Sequence, residues 1–531
     1  MALLHDIGTD VTFYVACMVV LYCTTGAIYR VFFHPLRDYP GPVLGKVTDA
    51  YAGLHAMMMQ LHLIMWEDHR KYGRVIRHGP NKLLFNSAVA LKDIYLNDSR
   101  LSKSEAYLTI LQASRQDTWN TIDKKSHRSR RRIIGAVLQE SSLSRFQPTL
   151  LHEIDVLLGV ILSSCQRPGS FPLNMTNRFQ YLTLDIVGQL AFGLPHHTQT
   201  RKKNRSLAMG LALVNYHNNI SIQFPSLSRS WLGSLMHLLT ARQLRNNWDA
   251  LQKTVRKRMS QPLDAAYDMY YAVTKRMGSG LFEEKEFSPV WSEAALLYTA
   301  GGETSSTTMS ALFFYLSRYP ECYRKLASEI RSIFEKGTDI RTGPKLASCS
   351  YLRACIEETL RLAPPVTGAL WRQLAHDDTE ENGPLIIDGH VISPGTQVGV
   401  CIYAIHHNED YFPDPFAFIP ERWLGATRTS QQFQAYAPFS LGSRSCPGKA
   451  MAYMQISLTI AKILWYFDFQ RPEGSLGDVG GGSSGRRGNR GRVNEYQLYD
   501  IFISRHEGPM LSFRTRGDFW MELQPVPACD P

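Results

Sequence analysis

FSLGSRSCPGKA, residues 439–450, joins a glycine-rich loop to the apolar run MAYMQISLTIAKILWYF, which reads as a helix. Cys446 therefore sits where a loop meets a helix N-terminus. A phosphate cradle, a metal site and a plain turn are the readings to weigh. A Walker A loop needs G-x-x-x-x-G-K-[ST]. Here five residues separate Gly442 from Gly448, and Ala450 follows Lys449 where a hydroxyl is required. The phosphate reading fails on both counts, and the thiol becomes the feature to explain.

A thiolate beside a helix N-terminus is favoured by the helix dipole and by backbone N–H groups without helical partners. Gly448 keeps a Cβ away from those N–H groups, and Gly442 permits the tight turn before them. Arg444 can reach an anionic group on the same ligand, and Phe439 can pack on a flat ring. A single dry, hydrogen-bonded thiolate suits the axial position of a haem iron. A lone cysteine is more often a buried structural thiol, so the spacing F-x-x-G-x-R-x-C-x-G must carry the weight.

The rest of the chain sets the bounds. Its 531 residues are 44% hydrophobic and 20% charged, an ordinary balance for a large globular core. No repeat and no clean internal linker divides it. The formal net charge of +11 is compatible with nucleic acid, an anionic membrane or an acidic protein partner. Part of it lies in RRGNRGR, residues 486–492, within a Gly/Ser/Arg segment (474–494) that reads as a solvated, flexible loop. Basic and aromatic residues do not alternate there, so nucleic acid is not expected. The 9 cysteines are scattered with no C-x-x-C pair, which argues against a disulfide framework and a zinc ribbon.

Residues 11–29, VTFYVACMVVLYCTTGAIY, carry no charge and at helical rise just cross a bilayer core. No Lys or Arg precedes them, unlike a signal peptide. Arg30, Arg37 and Lys46 follow, which places the downstream chain in the cytosol. HPLRDYPGPVLG, residues 34–45, is a stiff proline-rich connector. The expected organisation is a short tail (1–10), a transmembrane anchor (11–29), a hinge (30–45) and one large domain (46–531). Residues 72–87 read as a hairpin around Gly79-Pro80, and 384–406 as strand with a turn at Asp388-Gly389. Residues 499–516 read as a second hairpin-like stretch. Most of 90–280 is helical in pattern. The fold class is mainly α with small antiparallel sheets, without βαβ alternation.

Two further segments stand out. SPVWSEAALLYTAGGETSSTTMSALFFYLSRYP, residues 288–320, opens on a Ser288 cap with Pro289 at the first helical position and stops at Pro320. It predicts a helix of about 30 residues, with Gly301-Gly302 unfavourable in its middle. SYLRACIEETLRLAPP, residues 350–365, puts Glu358 and Arg361 three apart on one helix face.

Phe439, Gly442, Arg444, Cys446 and Gly448 together resemble the haem-binding loop of the cytochrome P-450 superfamily. AGGETS, ExxR and the P-E-R of FIPERW (418–423) occur in that family's order, so the likeness runs from about residue 38 to 517. The resemblance implies the following roles. Cys446 ligates the iron of haem b (iron protoporphyrin IX). Ala300 and the two glycines leave a groove over the haem, and Glu303-Thr304 is an acid–alcohol pair that relays protons. Glu358, Arg361 and Arg422 form a structural network. Arg372 and Arg444 hold the propionates, with Arg131 and with His127, which stands where the family has Trp. The chain has no nucleotide-binding fingerprint, so electrons would come from NADPH through a separate flavoprotein reductase docked near Lys449 and residues 124–132. The pocket would be lined by segments near 110–119, 211–224, 296–304, 366–370 and the turn near Met510, mostly apolar, for an apolar small molecule. Resemblance to filamentous-fungal members points to terpenoid, polyketide or alkaloid pathways and to a monomer on the endoplasmic reticulum membrane. Two alternatives stay open: isomerisation, dehydration or cyclisation on the same haem-thiolate, and a non-catalytic haem sensor or carrier.

Overall fold

The computed structural model describes residues 2–523 apart from 98, 111–115, 167–171, 278–288, 377–382, 426–429 and 486–488. Helices of eight residues or more run α1 (Ala2–Ile28), α2 (Ala50–Met57), α3 (Leu61–Tyr72), α4 (Ala88–Tyr95), α5 (Lys124–Leu138), α6 (Glu140–Cys165), α7 (Met175–Phe192), α8 (Ser206–Gln223), α9 (Trp231–Met259), α10 (Met269–Met277), α11 (Pro289–Arg318), α12 (Pro320–Ile333), α13 (Ser350–Leu362) and α14 (Lys449–Tyr466). The strands are β1 (Val75–Gly79), β2 (Lys82–Phe85), β3 (Leu101–Lys103), β4 (Leu173–Asn174), β5 (Arg372–Leu374), β6 (Leu385–Ile387), β7 (His390–Ile392), β8 (Gln397–Val400), β9 (Phe467–Gln470) and β10 (Met510–Thr515).

Local chemistry sets several boundaries. Ser87 caps α4 by accepting from the Ala90 N–H at 3.0 Å, and Asp123 caps α5 by accepting from the Ser126 N–H at 2.7 Å. Gly193, at φ +62, ends α7 in the left-handed region. Pro320 opens α12 directly after α11 stops at Arg318, as the sequence predicts. The Ser288 cap lies outside the described residues. Asp388 and Gly389, at φ +47 and +79, form the two-residue turn between β6 and β7.

Five strands form one sheet in the order β1-β2-β8-β5-β3. β1 and β2 are the expected hairpin. The β2–β8 pair is parallel, which departs from an all-antiparallel expectation. Two strand readings need correction. Residues 402–406 are a short helix rather than strand. Its residues are buried on every side, and an apolar run without alternation does not distinguish the two. The 499–516 stretch is not a self-contained hairpin. β10 pairs with β9 and β4, and only an isolated bridge joins Tyr499 to Arg505.

The main core gathers around α11, which runs against α7 and is flanked by α13 and α14. A second core lies under the five-stranded sheet. Outside both, Phe13–Phe33 is a 21-residue apolar helical stretch with none of it buried. The chain stays helical to Phe33, so the non-helical connector begins at His34 rather than residue 30. Helix α6 is also long and apolar enough to span a bilayer, but it is half buried in the core. The arginine-rich segment is less solvated than its composition suggests. Arg490 donates to the carbonyls of Met59 (3.2 Å) and Leu498 (3.1 Å), and Arg492 stacks 3.7 Å over the Phe416 ring.

Candidate active site

The loop before α14 is shaped by its backbone. Gly442 sits at φ +73, and a Cβ there would lie 2.1 Å from the Tyr95 carbonyl, so only glycine fits. The Cys446 N–H donates to the Phe439 carbonyl at 2.8 Å, closing the loop. Phe439 packs at 5.3 Å on Tyr453. Gly448 is the N-cap of α14, and a Cβ on it would lie 3.7 Å from the Cys446 sulfur, an ordinary contact. The expectation that a Cβ would obstruct the sulfur at Gly448 is therefore not met.

Cys446 is surface-accessible, yet burial among protein atoms pushes its thiol up. The residue keeps accessible surface while protein atoms crowd its sulfur. The Gly448 N–H, Arg131 and Lys449 pull in the opposite direction, toward thiolate. Arg131 donates to the Ser445 carbonyl at 2.5 Å, so α5 is tied to this loop. Among the other described cysteines, Cys17 and Cys23 lie on α1, Cys165 is half-buried, and Cys322, Cys349, Cys355 and Cys401 are buried.

A cluster of cations stands close by. Lys103 on β3 lies directly across from Arg372 on β5, and both are 6% exposed. Opposed like charges destabilise a strand pair, the more so without water. Arg372 donates to the carbonyls of Leu370 and Trp371, and Lys103 to that of Trp119. Burial, then Arg372 and Arg444, hold the Lys103 ammonium well below its usual range. Arg444 donates to the carbonyls of Thr121 (2.5 Å) and Ile122 (2.7 Å), and His127 is buried on α5. Converging buried cations suit a group with two carboxylates, which is what haem propionates are. Lys103 was not singled out in the sequence. Its partner strand lies some 270 positions away, and only the register reveals the pairing.

Above the loop side, α11 carries Ala300–Thr304. Gly301 and Gly302 have a packing cause that the sequence reading missed. A Cβ on Gly301 would lie 2.7 Å from Val187 Cγ1, and one on Gly302 would lie 2.8 Å from Leu184 Cδ2. Close approach of α7, whose Thr183 hydroxyl donates to the Gly302 carbonyl, uses that space. The Thr304 hydroxyl donates to the Ala300 carbonyl at 2.8 Å. Glu303 is buried and accepts from Asn215 Nδ2 at 2.9 Å. Burial raises its carboxyl to about 7, against the opposing pull of Asn215.

Glu358 and Arg361 are fully buried and bidentate, at 2.9 and 2.8 Å. Arg422 donates to Glu358 at 3.3 Å, as do the Ile419 N–H (3.1 Å) and Trp423 Nε1 (2.8 Å). Arg361 also holds the carbonyls of His406 (2.9 Å) and Pro415 (2.8 Å). The network is saturated, which suits fixed geometry rather than proton transfer. Of the pocket segments, 111–115 lie outside the described residues. The turn near Met510 runs through Gly508, at φ +73, and Met510 then opens β10 opposite Asn174. Nearby in the chain, Phe502, held at φ +84, stands edge-on to Trp119 at 5.0 Å.

The family profile described as Cytochrome P450 matches residues 37–479. The chain belongs to the cytochrome P450 family. It is 34% identical over 503 residues to cytochrome P450 monooxygenase poxM of Penicillium oxalicum, covering 93% of each chain. It is 33% identical over 513 residues to cytochrome P450 monooxygenase AKT7 of Alternaria alternata, covering 94% of this chain and 96% of that one. Monooxygenase apf7 of Gibberella fujikuroi is 34% identical over 519 residues, with 92% and 95% covered. This P450 is a monooxygenase that binds haem through a cysteine thiolate and receives electrons from a redox partner. Its N-terminal apolar helix fits a membrane anchor.

Proposed function

We propose that this P450 uses Cys446 as its haem ligand to oxygenate an apolar small molecule in a secondary-metabolite pathway. The observation that carries the reading is an accessible cysteine directly before α14, with the Gly448 N–H and Arg131 favouring its thiolate. Haem so bound supplies oxygen activation, which a thiolate favours by pushing electron density to the iron.

The chain's own residues do the rest. Lys103, Arg372 and Arg444 would hold the propionates and so orient the haem, with Arg131 and His127 on α5 beside them. Phe439, packed on Tyr453, would support the haem beside Cys446. Glu303, poised near neutrality, passes protons inward with the Thr304 hydroxyl, whose rotation away from the Ala300 carbonyl frees it to donate. Trp119 and Phe502 supply apolar contact for substrate. Electrons come from an NADPH-dependent flavoprotein reductase, attracted to the exposed Lys449 and the basic start of α5. The enzyme works as a monomer, held by α1 on the cytosolic face of the endoplasmic reticulum, where a shared membrane raises the reductase's effective concentration.

Incubation of membranes with reductase, NADPH and labelled O₂ tests the reaction. Substrate-dependent incorporation of one labelled oxygen atom supports it. Product formed at full rate without reductase or O₂ would favour redox-neutral isomerisation instead.

A further inference from the structure

Of the buried amide side chains on helix α8, Asn215, Asn219 and Gln223 stand at i, i+4 and i+8, with Asn218 also buried beside them. That spacing puts those three on one face. Each meets a different part of the site's wall. Asn215 Nδ2 donates to Glu303 Oε2 at 2.9 Å. Asn219 Nδ2 donates to Asp500, at 3.2 Å to its carbonyl and 3.1 Å to its carboxylate. Gln223 Oε1 accepts from Trp371 Nε1 at 3.2 Å. Two of these bonds fasten the helix. The first touches the acid proposed above as the proton donor.

The immediate surroundings of Glu303 are otherwise apolar or neutral. Leu211 on α8 and Leu184 and Val187 on α7 fill the space beside Gly301 and Gly302. Two titratable groups from other elements lie about a turn away: Asp500, bonded to Asn219 and pushed up to about 6 by burial, and His506, which reaches Thr307 Oγ1 at 3.2 Å. Burial holds the His506 imidazole near 4, so it is neutral at working pH, and neither group contributes to the shift of Glu303. The protonation of Glu303 thus balances burial against one amide. An amide serves both states of a carboxyl group: its NH₂ donates to the carboxylate, and its carbonyl accepts from the acid. A carboxyl that must lose and regain a proton keeps a partner throughout.

We propose that Asn215 is a positioning residue for Glu303, through which helix α8 sets the orientation and protonation of the relay acid. The proposal rests on the reading of Glu303 as that acid. It differs from a purely structural role, which Asn219 and Gln223 fill equally well.

The test uses the full-length, haem-loaded protein and its Asn215→Leu, Asn215→Ser, Asn219→Leu and Glu303→Gln variants. The carboxylic C=O stretch lost in Glu303→Gln is followed by infrared difference spectroscopy across pH, without turnover. Asn215→Leu is expected to move its midpoint upward, because the donor that favours the carboxylate is gone. Asn219→Leu, which loosens the same helix, is expected to leave it in place. Product per NADPH should fall about tenfold in Asn215→Leu. Should Asn215→Leu not load haem, Asn215→Ser carries the same measurement with a smaller side chain. An unmoved midpoint in the Asn215 variants, or an equal shift in Asn219→Leu, overturns the inference. Unchanged coupling in Glu303→Gln overturns the relay reading itself, and the proposal with it; the infrared midpoint tells the two failures apart.

Discussion

Lys103 and Arg372 face each other across the β3–β5 pair, each 6% exposed, with Arg444 close enough to depress the lysine further. Two cations in register, shielded from water, oppose folding; the Asp117 carboxylate offsets this only in part, and a bound anionic group would relieve it further. The haem-free chain should therefore show their repulsion directly. A lysine depressed in the folded state binds fewer protons there than when unfolded. Stability then rises with pH, from the depressed folded value up to the unfolded value of about 10.4. Urea unfolding of haem-free protein should give a higher midpoint at pH 9 than at pH 7. Lys103→Met should remove that difference while speeding haem loss from the loaded enzyme.

Glu303→Gln and Thr304→Ala should each lower product formation by about tenfold to a hundredfold while haem content holds. The carboxyl lies near 7, so it is a donor below that pH and a carboxylate above it. Turnover should fall as pH rises through about 7, and Glu303→Gln should flatten that limb. A pH–rate profile on both proteins checks it.

Gly301→Ala should destabilise more than Gly302→Ala. The first meets β-branched Val187, which has few rotamers to escape into, and the second meets the flexible end of Leu184. Overpacking costs about 1–3 kcal/mol, against about 1 kcal/mol regained in helix propensity. Thermal melts should show Val187→Ala restoring the Gly301→Ala protein.

Glu358→Leu should be among the most damaging substitutions, since it strands Arg361 and Arg422 in the interior. Breaking one partner of such a pair costs about 3–5 kcal/mol. The yield of folded, haem-loaded protein reads this, and Glu358→Leu combined with Arg361→Leu should recover part of it.

How much of this was legible in the sequence depended on how local each signal is. The loop 439–450, the long helix ending before Pro320 and the Glu358–Arg361 pair all lie within single elements, and their spacing survives in the fold. Gly301-Gly302 was visible as an anomaly, but its cause was not, because Val187 and Leu184 come from another helix. Lys103 and Asn215 left no trace in sequence. A lysine in a short strand and an asparagine in a helix become notable only when a distant partner, Arg372 or Glu303, is set against them. The hairpin reading of 499–516 fails for the same reason, since β10 finds its partners in β9 and β4 rather than in its own neighbourhood.

The central claim is that Cys446 supplies the thiolate, and the carbon monoxide difference spectrum of the reduced, membrane-expressed protein tests it most directly. The account predicts a red-shifted thiolate–CO band in the natural protein and its loss in Cys446→Ala. A band that persists in Cys446→Ala, or none from natural protein shown to be folded and haem-loaded, would contradict it.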